Sequence, residues 1–373
     1  MPSRTQSSGA EDWNRLPCVE VPLGNNTAAD TTANINSVRG LACLLVVALH
    51  VVGDSDSNGL HLPTTSYWHY VMTSVEFLRM PLFTALSGYL YANHRVTRAE
   101  FSGFWIKKLR RLAVPLVFAT VVFWSLRHYA HGEQTSLMEA LLFRYGHLWY
   151  LQALLILFAA ISISDAFFQI SSVSLVLAGL SAIMISAGGL PISTFFDLTG
   201  AFYLAPYFLF GIILRERPQW LQDPRSGVLA AGIIIIVLTS QQLGLFGLAI
   251  EITSLQLPAA VAGMAGVVFL LQRFPNSVLL AGIGRYSYTI YLWHILASAA
   301  VRDGLIKVGV TAIPTLFILG LIAAIAAPMA LYHLARRIPL LSVAFTGERR
   351  IPITRKPSII RQGSVLVQPP LPS

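Results

Sequence analysis

The chain has 373 residues, 55% of them hydrophobic and only 12% charged, with a mean hydropathy of +0.63 and a net charge of +9. Soluble domains carry roughly 25% charged residues, so this chain lacks the means to cover a water-facing surface. Its apolar residues instead fall in blocks of about 20, the hydrocarbon thickness of a bilayer. That excludes a soluble enzyme, a nucleic-acid module and a disordered scaffold, and it predicts an all-α polytopic membrane protein.

In chain order, residues 1–36 are rich in Ser, Thr, Asn and Ala and hold no apolar core. They read as a disordered cytosolic tail rather than a signal peptide. A membrane domain follows over 37–335. The hydropathy predicts ten spans there: 37–53, 70–92, 112–130, 148–165, 172–188, 199–214, 228–242, 254–272, 279–299 and 310–334. Gln241, Gln242 and Glu251 interrupt the apolar run within 228–272, leaving room for two spans and a short re-entrant piece. Residues 336–373, with their Pro, Ser and Arg, predict a basic cytosolic C-terminal tail.

With the N-terminus inside, 21 of the 26 Lys and Arg lie in cytoplasmic segments and four in outer ones, the last being Arg79 within the second span. Lys and Arg are retained on the cytoplasmic side, so both termini are expected there. The two cysteines, Cys18 and Cys43, make no disulfide framework, and no spacing of Cys and His suggests a metal. No internal repeat is visible.

Polar residues inside spans are costly and mark candidate sites. In span one, Arg39 and His50 are eleven residues apart, about 1100° of rotation, which places them within roughly 20° on one face and about 16 Å apart. In span two, Glu76 and Arg79 have the spacing of a helical ion pair. In span nine, Ser287, Tyr291 and His294 form a polar stripe within about 60°. The run Lys107-Lys108-Leu109-Arg110-Arg111 stands at the cytoplasmic start of span three. Clustered cations there suit lipid headgroups, or the phosphates of a cytosolic donor. His147-Leu148-Trp149-Tyr150 opens span four, where interfacial aromatics are common.

Histidine titrates near neutrality and can take a proton from a hydroxyl, so these groups suit acyl transfer. A transporter of a glycan precursor or proton-coupled solute uses similar residues and remains open on this evidence.

The motifs resemble those of the acyltransferase-3 membrane O-acyltransferases over about residues 34–335. The resemblance rests on Arg39-Gly40-Leu41-Ala42 with His50, Met80-Pro81-Leu82-Phe83 with Ser87-Gly88-Tyr89-Leu90, and His147-Leu148-Trp149-Tyr150-Leu151. Tyr207-Phe208-Leu209-Phe210-Gly211 and Ser287-Tyr288-Thr289-Ile290-Tyr291-Leu292-Trp293-His294 complete it. It implies a bacterial inner-membrane enzyme that moves an acyl group, expected to be acetyl, from cytosolic acyl-CoA to a hydroxyl of an extracytoplasmic or lipid-linked glycan. No bound cofactor and no nucleic acid is implied, and polysaccharide synthesis or export machinery is an expected partner.

By this resemblance His50 is the catalytic histidine, as general base or acyl carrier, and Arg39 its partner. Lys107, Lys108, Arg110 and Arg111 are expected to bind the donor. The family's Arg-x-x-Arg is here only approached by Lys107-x-x-Arg110 and Lys108-x-x-Arg111. Glu76, Arg79, Ser287, Tyr291 and His294 are expected to line the site, with Trp149 and Tyr150 stacking on the acceptor.

Overall fold

The computed structural model describes residues 27–168, 170–188, 193–245, 247 and 256–348. Among the described residues fifteen α-helices carry the fold: α1 (Thr27–Val52), α2 (Tyr67–Ser74), α3 (Glu76–Ala92), α4 (Phe101–Lys108), α5 (Val114–His131), α6 (Leu137–Leu142), α7 (Trp149–Phe168), α8 (Ser172–Ala187), α9 (Leu198–Glu216), α10 (Gln219–Gln222), α11 (Pro224–Leu245), α12 (Gln256–Arg273), α13 (Val278–Lys307), α14 (Ile313–Ala335) and α15 (Pro339–Thr346). A π-helical turn, Leu109–Ala113, joins α4 to α5, and a 3₁₀ turn, Gly146–Leu148, leads into α7.

Among the described residues six helices are long and apolar enough to cross a membrane: Asn34–Val52, Phe101–Ala130, Gly146–Phe168, Leu198–Glu216, Pro224–Gly244 and Ile313–Ala335. Ser172–Ala187 and Leu257–Arg273 are shorter apolar helices. The chain is therefore a polytopic all-α membrane protein. Of the ten segments expected as spans, α3 reaches only 17 residues, and α13 breaks its apolar sequence with Arg285, Ser287, Tyr291 and His294. These two less apolar helices carry site residues.

Isoleucines with nothing polar to pair, such as Ile235 and Ile236 on α11 and Ile322 on α14, stand more than half exposed. In water that exposure opposes folding; in hydrocarbon it costs nothing.

Two boundaries differ from the sequence reading. Helix α1 already begins at Thr27, within the segment assigned to the N-terminal tail. Helix α15 lies within the C-terminal segment and turns back onto the bundle, where the Phe345 ring meets Phe118 at 4.8 Å and Trp293 at 4.9 Å. Glu251 lies outside the described residues.

Span two is broken at Ser74 and Val75, between α2 and α3. A broken helix leaves backbone carbonyls that hydrocarbon cannot satisfy. Gln241 of α11 answers this by donating its amide to the Thr73 carbonyl at 2.6 Å, while Gln242 bonds Tyr70 and Ser74. The polar residues that interrupt span seven are thus partners of the break in span two.

Small residues set the closest helix crossings. A Cβ on Gly40 of α1 would strike the Leu280 carbonyl of α13, and one on Gly284 of α13 would strike the Asn36 carbonyl of α1. Gly88 of α3 and Gly211 of α9 meet the opposing backbone in the same way at Phe208 and Ala85. The adjoining ends of α3, α7 and α9 are tied by Arg95, which bonds Asp165 at 3.0 Å and Glu216 at 2.6 Å. Tyr91 donates to the same Asp165.

Candidate active site

The α1–α13 crossing brings His50 and His294 together. Neither ring has a local reason to meet the other; the glycine contact of their helices, about two to three turns away, sets the approach. His294 is fully buried, and its Nδ1 faces the carbonyls of Ile290 at 2.9 Å and Tyr291 at 2.8 Å. Carbonyls only accept, so the proton sits on Nδ1 and the Nε2 lone pair is left to accept. It lies 3.1 Å from His50 Nδ1, which also faces the Val46 carbonyl at 3.0 Å. The Nδ1–H of His50 therefore donates, and its Nε2 keeps a lone pair. No protein group among the described residues bonds that Nε2.

A third ring completes the cluster. His147, in the 3₁₀ turn before α7, lies 5.3 Å from the His294 centroid and 6.0 Å from that of His50. Its Nε2 reaches the Leu292 carbonyl at 3.4 Å, and its own carbonyl accepts from the Tyr291 hydroxyl. The turn is thereby clamped to α13. Phe123 packs edge-on against the same ring at 4.9 Å. In sequence His147 stands among interfacial aromatics, beside Trp149 and Tyr150. Its histidine beside Trp and Tyr at a span mouth was the available signal. Although three imidazoles converge, no cluster of metal-ligating side chains capable of holding a metal occurs among the described residues.

His50 opens onto a cavity of about 390 Å³, lined also by Ser57, Asn58, His61, Arg127 and Arg302. That is a ligand-sized space. Arg79 lies close enough for its charge to act on His50. It is 6% exposed and pairs with Glu76 at 3.8 Å, as its spacing predicts, while its Nη1 has no hydrogen-bond partner. Glu76 itself is mostly exposed.

The other expected site residues separate from this cluster. Arg39 shares a helix with His50 but interacts with Tyr150. Tyr150 in turn engages Ser87 and Thr84 of α3. Tyr150 is buried, with Tyr291 at 5.6 Å and Phe83 at 6.4 Å. Tyr150, expected to stack on the acceptor, has its ring packed within the bundle. Trp149 is half-buried, with the Arg144 guanidinium 4.6 Å over its ring. Burial pushes the carboxyl of nearby Asp197 above its ordinary value. Ser287 is buried on α13 one turn from Tyr291.

At the other end, Lys107, Lys108, Arg110 and Arg111 occupy the end of α4 and the π-helical turn. The Lys108 ammonium is seated 3.4 Å over the Phe158 ring, a cation–π contact that holds its charge against the bundle. Arg111 is close enough to act on Tyr288 of α13. The charge of the basic run therefore reaches the helix that carries His294.

A histidine with a free lone pair, open to a ligand-sized cavity and beside the buried Arg79, suits proton removal from a hydroxyl. The family profile described as an acyltransferase domain, that of acyltransferase-3, matches residues 32–333. The chain belongs to the acyltransferase-3 family. It is a membrane O-acyltransferase, and all three clustered histidines fall within the matched residues. No curated protein and no solved structure matches the chain.

Proposed function

We propose that the protein transfers an acyl group, acetyl in the simplest case, from cytosolic acyl-CoA to a hydroxyl of a glycan on the outer side of a bacterial inner membrane, with ten crossings and both termini inside. The observation that carries the reading is the His50–His294 hydrogen bond beside the cavity.

The donor's phosphates bind the basic run Lys107–Arg111, whose Lys and Arg suit phosphate oxygens. The pantetheine arm runs inward past Arg39 and Tyr150 and delivers the thioester to His50. The acceptor hydroxyl enters the cavity. His50 Nε2 takes its proton as the oxygen attacks the thioester carbon, and the new C–O bond forms as the C–S bond breaks. The proton then passes to the departing thiolate, leaving an ester and free CoA. The Arg79 guanidinium, with its unpartnered Nη1, steadies the oxyanion. His50 serves as base rather than acyl carrier in this scheme, because it lines the acceptor cavity with Nδ1 already engaged and Nε2 left to accept.

The test uses membrane vesicles given radiolabelled acetyl-CoA and a native glycan acceptor, comparing wild type with His50→Ala at matched protein levels. Loss of glycan labelling in the variant, by roughly 10²-fold or more as expected for a general base, supports the scheme. Equal labelling in both removes His50 from the chemistry. Silence of the wild type with acetyl-CoA and longer acyl-CoAs alike favours a transporter.

A further inference from the structure

The sequence places four basic residues in outer segments, Arg127, Arg144, Arg302 and Lys307. A cation on that side runs against the bias that sets topology, so each calls for a local use. Two of the four, Arg127 near the end of α5 and Arg302 near the end of α13, line one cavity, and it is the cavity that holds His50. Among the described residues no Asp or Glu lines it.

Both guanidiniums are held by fixed neighbours, one of which, Gly59, itself lines the cavity. Arg127 stands 3.8 Å from Glu133 and 5.3 Å from the Tyr145 ring centroid. Arg302 bonds Asp303 at 2.7 Å and the Gly59 carbonyl. A guanidinium has five N–H donors, and these contacts leave some on each residue. The Arg302 side chain is 19% exposed, so its charge is partly stripped of water. The Arg127 charge also reaches His147 of the histidine cluster. Neutral sugars need a mixture of acceptors and donors. A wall with two fixed cations and no carboxylate instead favours a ligand bearing an oxyanion.

We propose that the acceptor is an acidic sugar, carrying a carboxylate or phosphate that Arg127 and Arg302 hold while a neighbouring hydroxyl meets His50. This rests on the acceptor entering the cavity as proposed above. It assigns the two arginines to substrate selection, a role separate from proton transfer.

The test places the full chain in phosphatidylcholine nanodiscs and measures binding of glucuronate, glucose 1-phosphate and glucose by saturation-transfer NMR. Label transfer from acetyl-CoA to each sugar is followed in parallel. At least one acidic sugar is expected to bind roughly tenfold or more tightly than glucose, the worth of one charged hydrogen bond. Glucuronate alone identifies a carboxylate site, and glucose 1-phosphate alone a phosphate site. Arg127→Gln and Arg302→Gln should each erase most of the preference, while Arg127→Lys keeps part of it. Because Arg302 also ties Gly59, Arg127→Gln carries the test should Arg302→Gln fail to fold. Equal binding of glucose, binding of none of the three, or a preference that survives Arg127→Gln overturns the proposal. Acidic-sugar binding without label transfer keeps the anion site and sinks the acyl-transfer scheme; equal transfer to glucose and glucuronate does the reverse.

Discussion

For His50 to take a proton, one ring nitrogen must keep a lone pair, and its neighbour determines which. The Nδ1 of His294 is committed to two carbonyls, so His294 presents an acceptor and orients His50 without touching substrate. His294→Ala should lower kcat by roughly 10²-fold while leaving the KM for acetyl-CoA within about twofold, the signature of an interaction made only in the transition state. His294→Gln, whose amide oxygen accepts from the same Nδ1–H, should recover part of the rate. Steady-state kinetics on level-matched nanodiscs check this, and a parallel rise in KM would instead mean general disruption. His50, Arg79 and His294 were legible in sequence because polar groups are expensive in hydrocarbon and therefore conspicuous. The intramembrane cost did not single out His147, which lies in a turn at a span mouth. Tyr150 opens a span where interfacial aromatics are common, and only the folded bundle shows that it engages Ser87 and Thr84.

Helices meet where side chains let them, and α1 and α13 meet over reciprocal glycines, Gly40 beneath Leu280 and Gly284 beneath Asn36. Both added carbons would strike backbone rather than a flexible chain end, so the helices must part to admit either. Gly284→Ala should therefore cost about 1–3 kcal/mol through overpacking and widen the 3.1 Å His50–His294 contact. The expected outcome is a lowered unfolding temperature together with a loss of transfer exceeding that of Gly282→Ala, where an added Cβ meets nothing within 4 Å. Thermal unfolding and label transfer on the two variants check it. Sequence periodicity placed His50 and His294 on helices but not at one depth, because the crossing is a property of two segments more than 200 residues apart. The same holds for Gln241, an apparent defect in span seven whose partner is the broken backbone of span two.

At the scale of the molecule, the proposal requires two faces. The Lys107–Arg111 run and the Arg127/Arg302 cavity must open on opposite sides of the membrane, since one takes a cytosolic thioester and the other an exported sugar. Helix α5 supplies the geometry: it follows the basic turn directly and carries Arg127 thirteen residues beyond Val114. At 1.5 Å per residue that is about 20 Å of rise, most of the roughly 30 Å hydrocarbon thickness. The imbalance of 21 basic residues against four leads to the expectation that the run lies inside. Replacing Cys18 and Cys43, the two native cysteines, by Ala allows single reporters at exposed Ala99, before α4, and exposed Gln134, beyond α5. In right-side-out vesicles a membrane-impermeant maleimide should label Gln134→Cys and spare Ala99→Cys until the membrane is permeabilised. The reversed pattern would face the donor site outward and leave cytosolic acyl-CoA no route to it. Labelling of both in intact vesicles would place the two ends of α5 on one side, so that α5 does not cross and a single-faced reaction replaces transfer across the bilayer.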